Sequence, residues 1–266
     1  MRLIMTHEQA DLDALASLLA AHILDPDSYA LLPRQFNRNG QAFVRKYGLK
    51  LGFSRLTDLP RGNIEEVTLV DTQSMVTLRG LTKETKVKVI DHHPRKSQGQ
   101  PDWDYEVHET GACTTILVEK IIEKGLALTT EEATLLLLGI YEDTGSLSYP
   151  STIARDASAV SWLLSAGADL NIAAKYLNPP LSSAQVQLYD RLLKTAQEVT
   201  VEQSMVVIAT AAALDLNDEI SSVAHRLREF LMPDGLVVLV LTRMGLRLVA
   251  RASSPNIDMA KLARRF

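Results

Sequence analysis

The 266-residue chain predicts an α/β fold: a mostly parallel sheet flanked by helices, followed by a second, smaller α+β domain. Three observations lead there. Short aliphatic runs are too brief for helices, helical patterns alternate with them, and the texture of the chain changes near Asn178. Leu3 to Met5, Val67 to Val70 and Val87 to Ile90 read as buried parallel strands, because both faces of such strands are apolar. Helical spacing appears over Leu12 to Leu24, Gln41 to Tyr47, Ala112 to Ile122, Thr130 to Tyr141 and Ala154 to Ala166. Strands alternating with helices imply βαβ units. Asn178, Pro179 and Pro180 then break the pattern, and Ser182 to Glu198 resumes helical spacing with Leu188, Leu192 and Leu193 on its apolar side. Beyond it, Val199 to Ala211 reads as a strand or hairpin and Asp218 to Phe230 as an amphipathic helix. Gly235 to Leu241 and Leu246 to Arg251 read as strands joined across Arg243 to Gly245. The expected domains are residues 1–180, a connecting helix over 181–198, and residues 199–266. No internal repeat is visible.

Composition narrows the class. With 46% hydrophobic and 23% charged residues the chain buries enough apolar surface to offset its ordering entropy, so it is globular. A net charge of -4, from 28 basic and 32 acidic residues, argues against duplex binding driven by bulk charge. A single cysteine, Cys113, rules out an intramolecular disulfide, and a reducing cytoplasm is the default location. MRLIMTHEQADLDA reaches polar residues before a signal-peptide core could form, and no apolar run approaches the ~18 residues of a membrane span.

Chemistry collects where the predicted strands end. Thr6, His7, Asp11 and Asp13 follow the first, Asp71 the second, and Asp91, His92 and His93 the third. Open α/β sheets bind ligands at the carboxyl ends of their strands, so these residues converge. Asp143 joins them from the end of an apolar helix that Gly145 can terminate. Asp11, Asp13, Asp71 and Asp143 in one pocket would repel unless cations compensated them. Two divalent ions balance the four charges. Imidazole and carboxylate without thiolate suit Mn²⁺, with Mg²⁺, Co²⁺ or Zn²⁺ also compatible. Two such ions ~3.5 to 4 Å apart generate hydroxide from water and clamp a phosphoryl group for in-line attack. The expected reaction is phosphoester or phosphoanhydride hydrolysis.

The segments HEQADLD at 7–13, VDTQ at 70–73, VIDHHPR at 89–95 and GIYEDTGSLSY at 139–149 resemble, in order and separation, the metal motifs of the DHH phosphoesterases. The resemblance implies that His7, Asp11 and Asp71 hold one metal and that Asp13, Asp71, His92 and Asp143 hold the other, with Asp71 as the bridge. It places His93 near the phosphate or leaving group and has Asp91 orient a histidine. One departure is local: many members carry Asn-Pro where this chain has Glu8, Gln9 and Ala10. The second domain resembles the family's accessory domain, with Arg251 and Ser253 matching its Arg-x-Ser segment for gripping phosphate or a terminal nucleotide. Members usually continue past a segment like MAKLARRF into a glycine-rich run ending in histidine; here the expectation is a truncated accessory domain. PRQFNRN at 33–39 is reminiscent of the branch that precedes CBS and tRNA nucleotidyltransferase domains, so fused downstream domains are an expected partner, as is a second copy of the chain.

Plainer readings stand beside these. A lone Asp after a strand is usually a helix cap. His22 reads as core packing, His108 and His225 as surface, and Cys113 as a small buried hydrophobe. GACTT at 111–115 either offers backbone amides to an anion or lets a helix pack closely on the sheet. Arg34, Arg38 and Arg95 line a phosphate path near the metals, or Arg34 and Arg38 are solvated loop charges; Arg226, Arg228, Lys261, Arg264 and Arg265 decorate solvated helix faces, with RNA contact as a secondary use. The leading function is hydrolysis of short RNA or DNA, or of small nucleotides such as nanoRNA, 3′-phosphoadenosine 5′-phosphate or a cyclic dinucleotide. Family II-type pyrophosphate hydrolysis and non-catalytic nucleotide or tRNA binding are the alternatives.

Overall fold

The computed structural model describes residues 1–95, 100–177, 180–201, 203–216, 218–252 and 257. It divides into two compact units, Met1–Pro179 and Pro180–Phe266.

The first unit is built on a six-stranded, all-parallel sheet of β1 (Arg2–Met5), β2 (Tyr29–Leu31), β3 (Phe53–Ser54), β4 (Glu66–Val70), β5 (Lys86–Asp91) and β6 (Asp104–Val107). Their order across the sheet is β3-β2-β1-β4-β5-β6, so the direction of winding reverses between β1 and β4. That reversal opens a crevice at the carboxyl edge. The three predicted strands are the central ones. The unpredicted β2, β3 and β6 lie toward the edges, and Tyr29–Leu31 and Phe53–Ser54 are too short to show a period.

Side chains alternate across the sheet. Ile4, Val70 and Ile90 face the helices; Leu3, Met5, Val67, Leu69, Val87 and Val89 form the opposite core, closed by Leu59, Met75, Leu78, Leu81 and Trp103 from loops. The helical face carries α1 (Leu12–Leu24), α2 (Arg38–Tyr47), α3 (Cys113–Glu123), α4 (Thr130–Thr144), α5 (Ala154–Ser165) and α6 (Leu170–Leu177). Helix α1 is buried from Leu12 through Ala21, which explains its near-continuous apolar sequence. Its buried polar exceptions, Asp13 and Ser17, both turn toward the start of α3. Helix α4 begins in a Thr129–Glu132 capping box and ends at Gly145, whose φ of 55° supplies the left-handed cap.

The second unit holds α7 (Ser183–Thr195), β7 (Gln197–Val201), β8 (Ser204–Ala212), α8 (Ile220–Leu231), β9 (Gly235–Thr242) and β10 (Gly245–Ala252). Its sheet runs β10-β9-β8-β7, with only the β8/β9 pair parallel. Leu188 and Leu192 of α7 and Val223 and Leu227 of α8 pack on Val207, Leu236, Val238 and Val240. The helical stretch expected through Glu198 therefore stops at Thr195, because Gln197 and Glu198 already pair with Ile208 and Val207. No described helix is long and apolar enough to cross a membrane.

Gly139 shows how tightly the helical layer is assembled. A methyl group there would fall 2.5 Å from Ala16 Cβ and 2.7 Å from Thr114 Oγ1. Gly→Ala inside an exposed helix gains about 1 kcal/mol. Here overpacking reverses the sign: Gly139→Ala is expected to destabilise the fold by about 1 to 3 kcal/mol, read as a lower denaturant midpoint in urea. A raised midpoint would contradict the packing described.

Candidate metal centre

Strands β1, β4 and β5 deliver their polar residues to one edge of the sheet. His7 lies just beyond β1, Asp71 directly follows β4, and Asp91 closes β5 ahead of His92 and His93. Asp11 is the N-cap of α1, its carboxylate accepting from Ala14 N at 3.0 Å, so the plain capping role and a place in the site coexist. Asp143 sits in the last turn of α4.

Backbone carbonyls set the two imidazoles. His7 Nδ1 lies 3.0 Å from the Glu8 carbonyl and His92 Nδ1 lies 3.1 Å from the Thr110 carbonyl. A carbonyl only accepts, so each Nδ1 bears a proton, and each ring, once neutral, presents an Nε2 lone pair. His7 Nε2 is 3.5 Å from Asp71 Oδ2, and His92 Nε2 is 3.5 Å from Asp71 Oδ1. His92 Nε2 also lies 3.5 Å from Asp143 Oδ2 and 4.0 Å from Asp13 Oδ2. One buried carboxylate is thus faced by an imidazole on each oxygen. Asp71 does this with a φ of 55°, a left-handed backbone that costs a non-glycine residue about 1 to 3 kcal/mol and is typical of functional sites.

Ligand atoms of His7, Asp11 and Asp71 lie within 4.8 Å of one another, as do those of Asp13, His92 and Asp143. Asp71 Oδ1 and His92 Nε2 are buried without a hydrogen-bond partner. Leaving both orphaned is costly unless a proton or a cation joins them. Oxygen and imidazole donors without thiolate match hard to borderline divalent ions, so these residues fit divalent metal binding. Asp71, Asp91, His92 and His93 form a third close group. Asp91 is otherwise engaged, however: its Oδ1 accepts from His92 N, His93 N and His93 Nδ1 at 2.9, 3.2 and 2.9 Å, and its Oδ2 from Gln73 Nε2 at 2.9 Å. It fixes the exposed His93 ring.

Gln73, within the VDTQ segment, is a site residue that the sequence does not mark; it ties Asp91 to the carbonyls of His93 and Pro94. Between the two readings of residues 111–115, the amides do hold an anion, and it is internal. Cys113 N and Thr114 N donate to the two oxygens of Asp13 at 2.8 and 3.0 Å. Gly111 N, Ile153 N and the Thr115 hydroxyl all donate to the buried Asp156. No sequence signal marks that residue.

Among the predicted substrate residues, Arg34 and Arg38 are exposed on the loop and first turn around α2, and Arg95 lies 4.4 Å over the Tyr105 ring. Arg251 is exposed on β10, and Ser253 lies outside the described residues. His225 is half-buried and pairs with Glu229 at 3.3 Å, so it is less exposed than its sequence context implied. Burial, with the charges of Arg228, Arg226 and Arg251, holds its pKa below the ordinary value against the pull of Glu229.

The DHH family, N-terminal domain, matches residues 2–140. The chain belongs to the DHH family. It is 34% identical over 272 residues to an A-adding tRNA nucleotidyltransferase of Geobacter sulfurreducens, covering 100% of this chain and 31% of that protein. It thus spans about a third of that relative's length. A Brevibacillus brevis protein named "Probable manganese-dependent inorganic pyrophosphatase" is 27% identical over 82% of this chain and 72% of its own. In fold, the chain is similar to an exopolyphosphatase-related protein from Bacteroides fragilis, with a TM-score of 0.77, 15% identity, and coverage of 100% of this chain and 82% of that one.

Electrostatics in the DHH site follow from crowding. Burial, then the charge of Asp71, pushes the Asp13 carboxyl up, and burial with Asp13 and Asp11 does the same to Asp143. Burial also raises Asp11. Burial would raise Asp71 too, but His7 and His92 hold it below the ordinary carboxylate range. In return, contact with Asp71 lifts His7 to about 9 against the cost of burial, and Asp71 and Asp13 lift His92. Raised carboxyls and raised imidazoles alike must lose protons before they can act as ligands. Mn²⁺ affinity of the DHH chain is therefore expected to rise with pH from neutrality to about 9, with proton release on binding. Titration calorimetry in buffers of different ionisation enthalpy measures both. A pH-independent affinity with no protons released would show that the ion binds elsewhere.

Proposed function

We propose that this DHH chain is a Mn²⁺-dependent phosphoesterase that hydrolyses phosphodiester or phosphomonoester bonds of short oligonucleotides or small nucleotides, in the class of nanoRNA, 3′-phosphoadenosine 5′-phosphate or a cyclic dinucleotide. The observation that carries the reading is Asp71, whose two oxygens face two different histidines, each beside its own cluster of carboxylates. His7, Asp11 and Asp71 would hold one ion, and Asp13, Asp71, His92 and Asp143 the other. Such a pair supplies a nucleophile from water at neutral pH and neutralises charge on a phosphoryl group.

The protein's own groups do the rest. Asp91, anchored by Gln73, keeps the His93 ring in one orientation, with Nδ1 held and Nε2 left for a substrate oxygen. Its hydrogen bond to Asp91 raises the His93 pKa, which suits a group that steadies phosphate or protonates a leaving oxygen. Arg34, Arg38 and Arg95 supply positive charge from the first unit, and Arg251 and Ser253 are assigned to substrate grip in the second. Pyrophosphate hydrolysis is the second reading, supported by the likeness to the Brevibacillus brevis protein along 82% of this chain.

Turnover of a short RNA, 3′-phosphoadenosine 5′-phosphate and pyrophosphate by the Mn²⁺-loaded protein separates the two. Preference for either nucleotide substrate supports the first reading, and preference for pyrophosphate the second. Asp71→Ala is expected to lose more than about 100-fold of whichever activity is present, since it removes a ligand rather than an outer partner. A metal-loaded chain that binds nucleotide and turns over none of the three would leave a binding module instead.

A further inference from the structure

The His7 to Asp11 loop, which carries Glu8, Gln9 and Ala10, is strapped from outside. Gln9 N and Ala10 N donate to the Gln35 carbonyl at 3.0 and 3.2 Å, and Asn37 N donates to the Ala10 carbonyl at 2.8 Å. Ala10 and Phe36 pair in a parallel bridge, and Ala10 is fully buried against Phe36, Ala14, Leu15 and Val44. Gln9 takes a φ of 70° to make the turn.

Glu142, the residue before Asp143, closes this strap. One of its oxygens accepts from Leu12 N, the first amide of α1, and the other from Asn37 Nδ2 at 3.0 Å. Asn37 cannot turn its amide round, because its Oδ1 caps α2 by accepting from Gly40 N at 2.8 Å. Two donors therefore converge on residue 142, and only an acceptor-only group satisfies both.

We infer that Glu142 is a positioning residue: through Leu12 and Asn37 it sets the register of the ligand loop that brings His7 and Asp11 to Asp71. The inference rests on the metal-dependent reading of the site. It also gives the strap a functional sense, since Arg34 and Arg38 flank its paired segment and are carried by the same anchor.

The test is Mn²⁺ titration of the full chain, metal alone, followed by calorimetry, with thermal melting of every variant by circular dichroism. Glu142→Gln turns a donor toward Asn37. Asn37→Ser keeps a hydroxyl cap on α2 but removes the contact to Glu142. Each is expected to weaken one of two bound ions by about 10-fold or more, the range for partners that orient ligands, while its melt remains cooperative. Glu142→Gln combined with Asn37→Asp exchanges donor and acceptor, leaves an oxygen to cap Gly40, and is expected to recover most of the loss. If Glu142→Gln does not fold, the Asn37→Ser result decides alone. Single variants that bind both ions as the parent does, or an exchanged pair as weak as its components, overturn the inference while leaving the metal reading intact. A parent that binds no Mn²⁺ overturns both.

Discussion

The buried Asp71 carboxylate, approached by an imidazole on each oxygen, is the constraint around which the first unit is arranged. A carboxylate in that position is kept ionised only by nearby positive charge or donors, and its left-handed backbone persists only if its surroundings hold it there. The parallel register of β4 with β1 on one side and β5 on the other does so, placing Asp71 between the chain segments that carry His7 and His92. The reversal of strand order at β1 and β4 leaves room above the sheet for side chains rather than backbone.

Charge compensation is shared among more elements than ion counting alone requires. Asp13, the most deeply buried carboxylate of the group, spends one lone pair of each oxygen on the amides that open α3. Those amides and their helix dipole favour the anion, while burial and Asp71 oppose it. Asp91 is held below its ordinary range by His93 and Gln73 despite being buried. The site thus contains two kinds of carboxylate: Asp91, saturated by donors and suited to hold a ring, and the Asp11, Asp13, Asp71 and Asp143 set, which retains acceptor capacity.

What could be read from the sequence was what the local chain determines. Central strands show as aliphatic runs, α1 as an apolar stretch, and His7, Asp71, His92 and His93 as polar residues where such runs stop. Asp143 was legible because Gly145 marks the end of α4. The residues that escaped, Glu142, Asn37 and Asp156, or went unassigned, Gln73, act through contacts 18 to 130 positions away in the chain. No period or spacing encodes such pairings. Strands β2, β3 and β6 escaped for a different reason: a two- or three-residue strand, or one with polar residues at alternate positions, owes its pairing to the neighbouring strand rather than to its own composition.

The cradle draws on residues 7, 71, 92 and 143, which follow three strands or end a helix and are scattered over more than half the chain. The His7, Asp11 and Asp71 group closes only when β1 and β4 pair, and the Asp13, His92 and Asp143 group only when β5 and α4 join them. A nascent or partly unfolded chain consequently presents these acids and imidazoles only in short local groups, such as Asp91 to His93, without the partners that the folded sheet brings to them. An ion that needs the whole set would therefore bind only once the sheet is finished, and its binding energy would count toward the folding of the first unit rather than of any one loop.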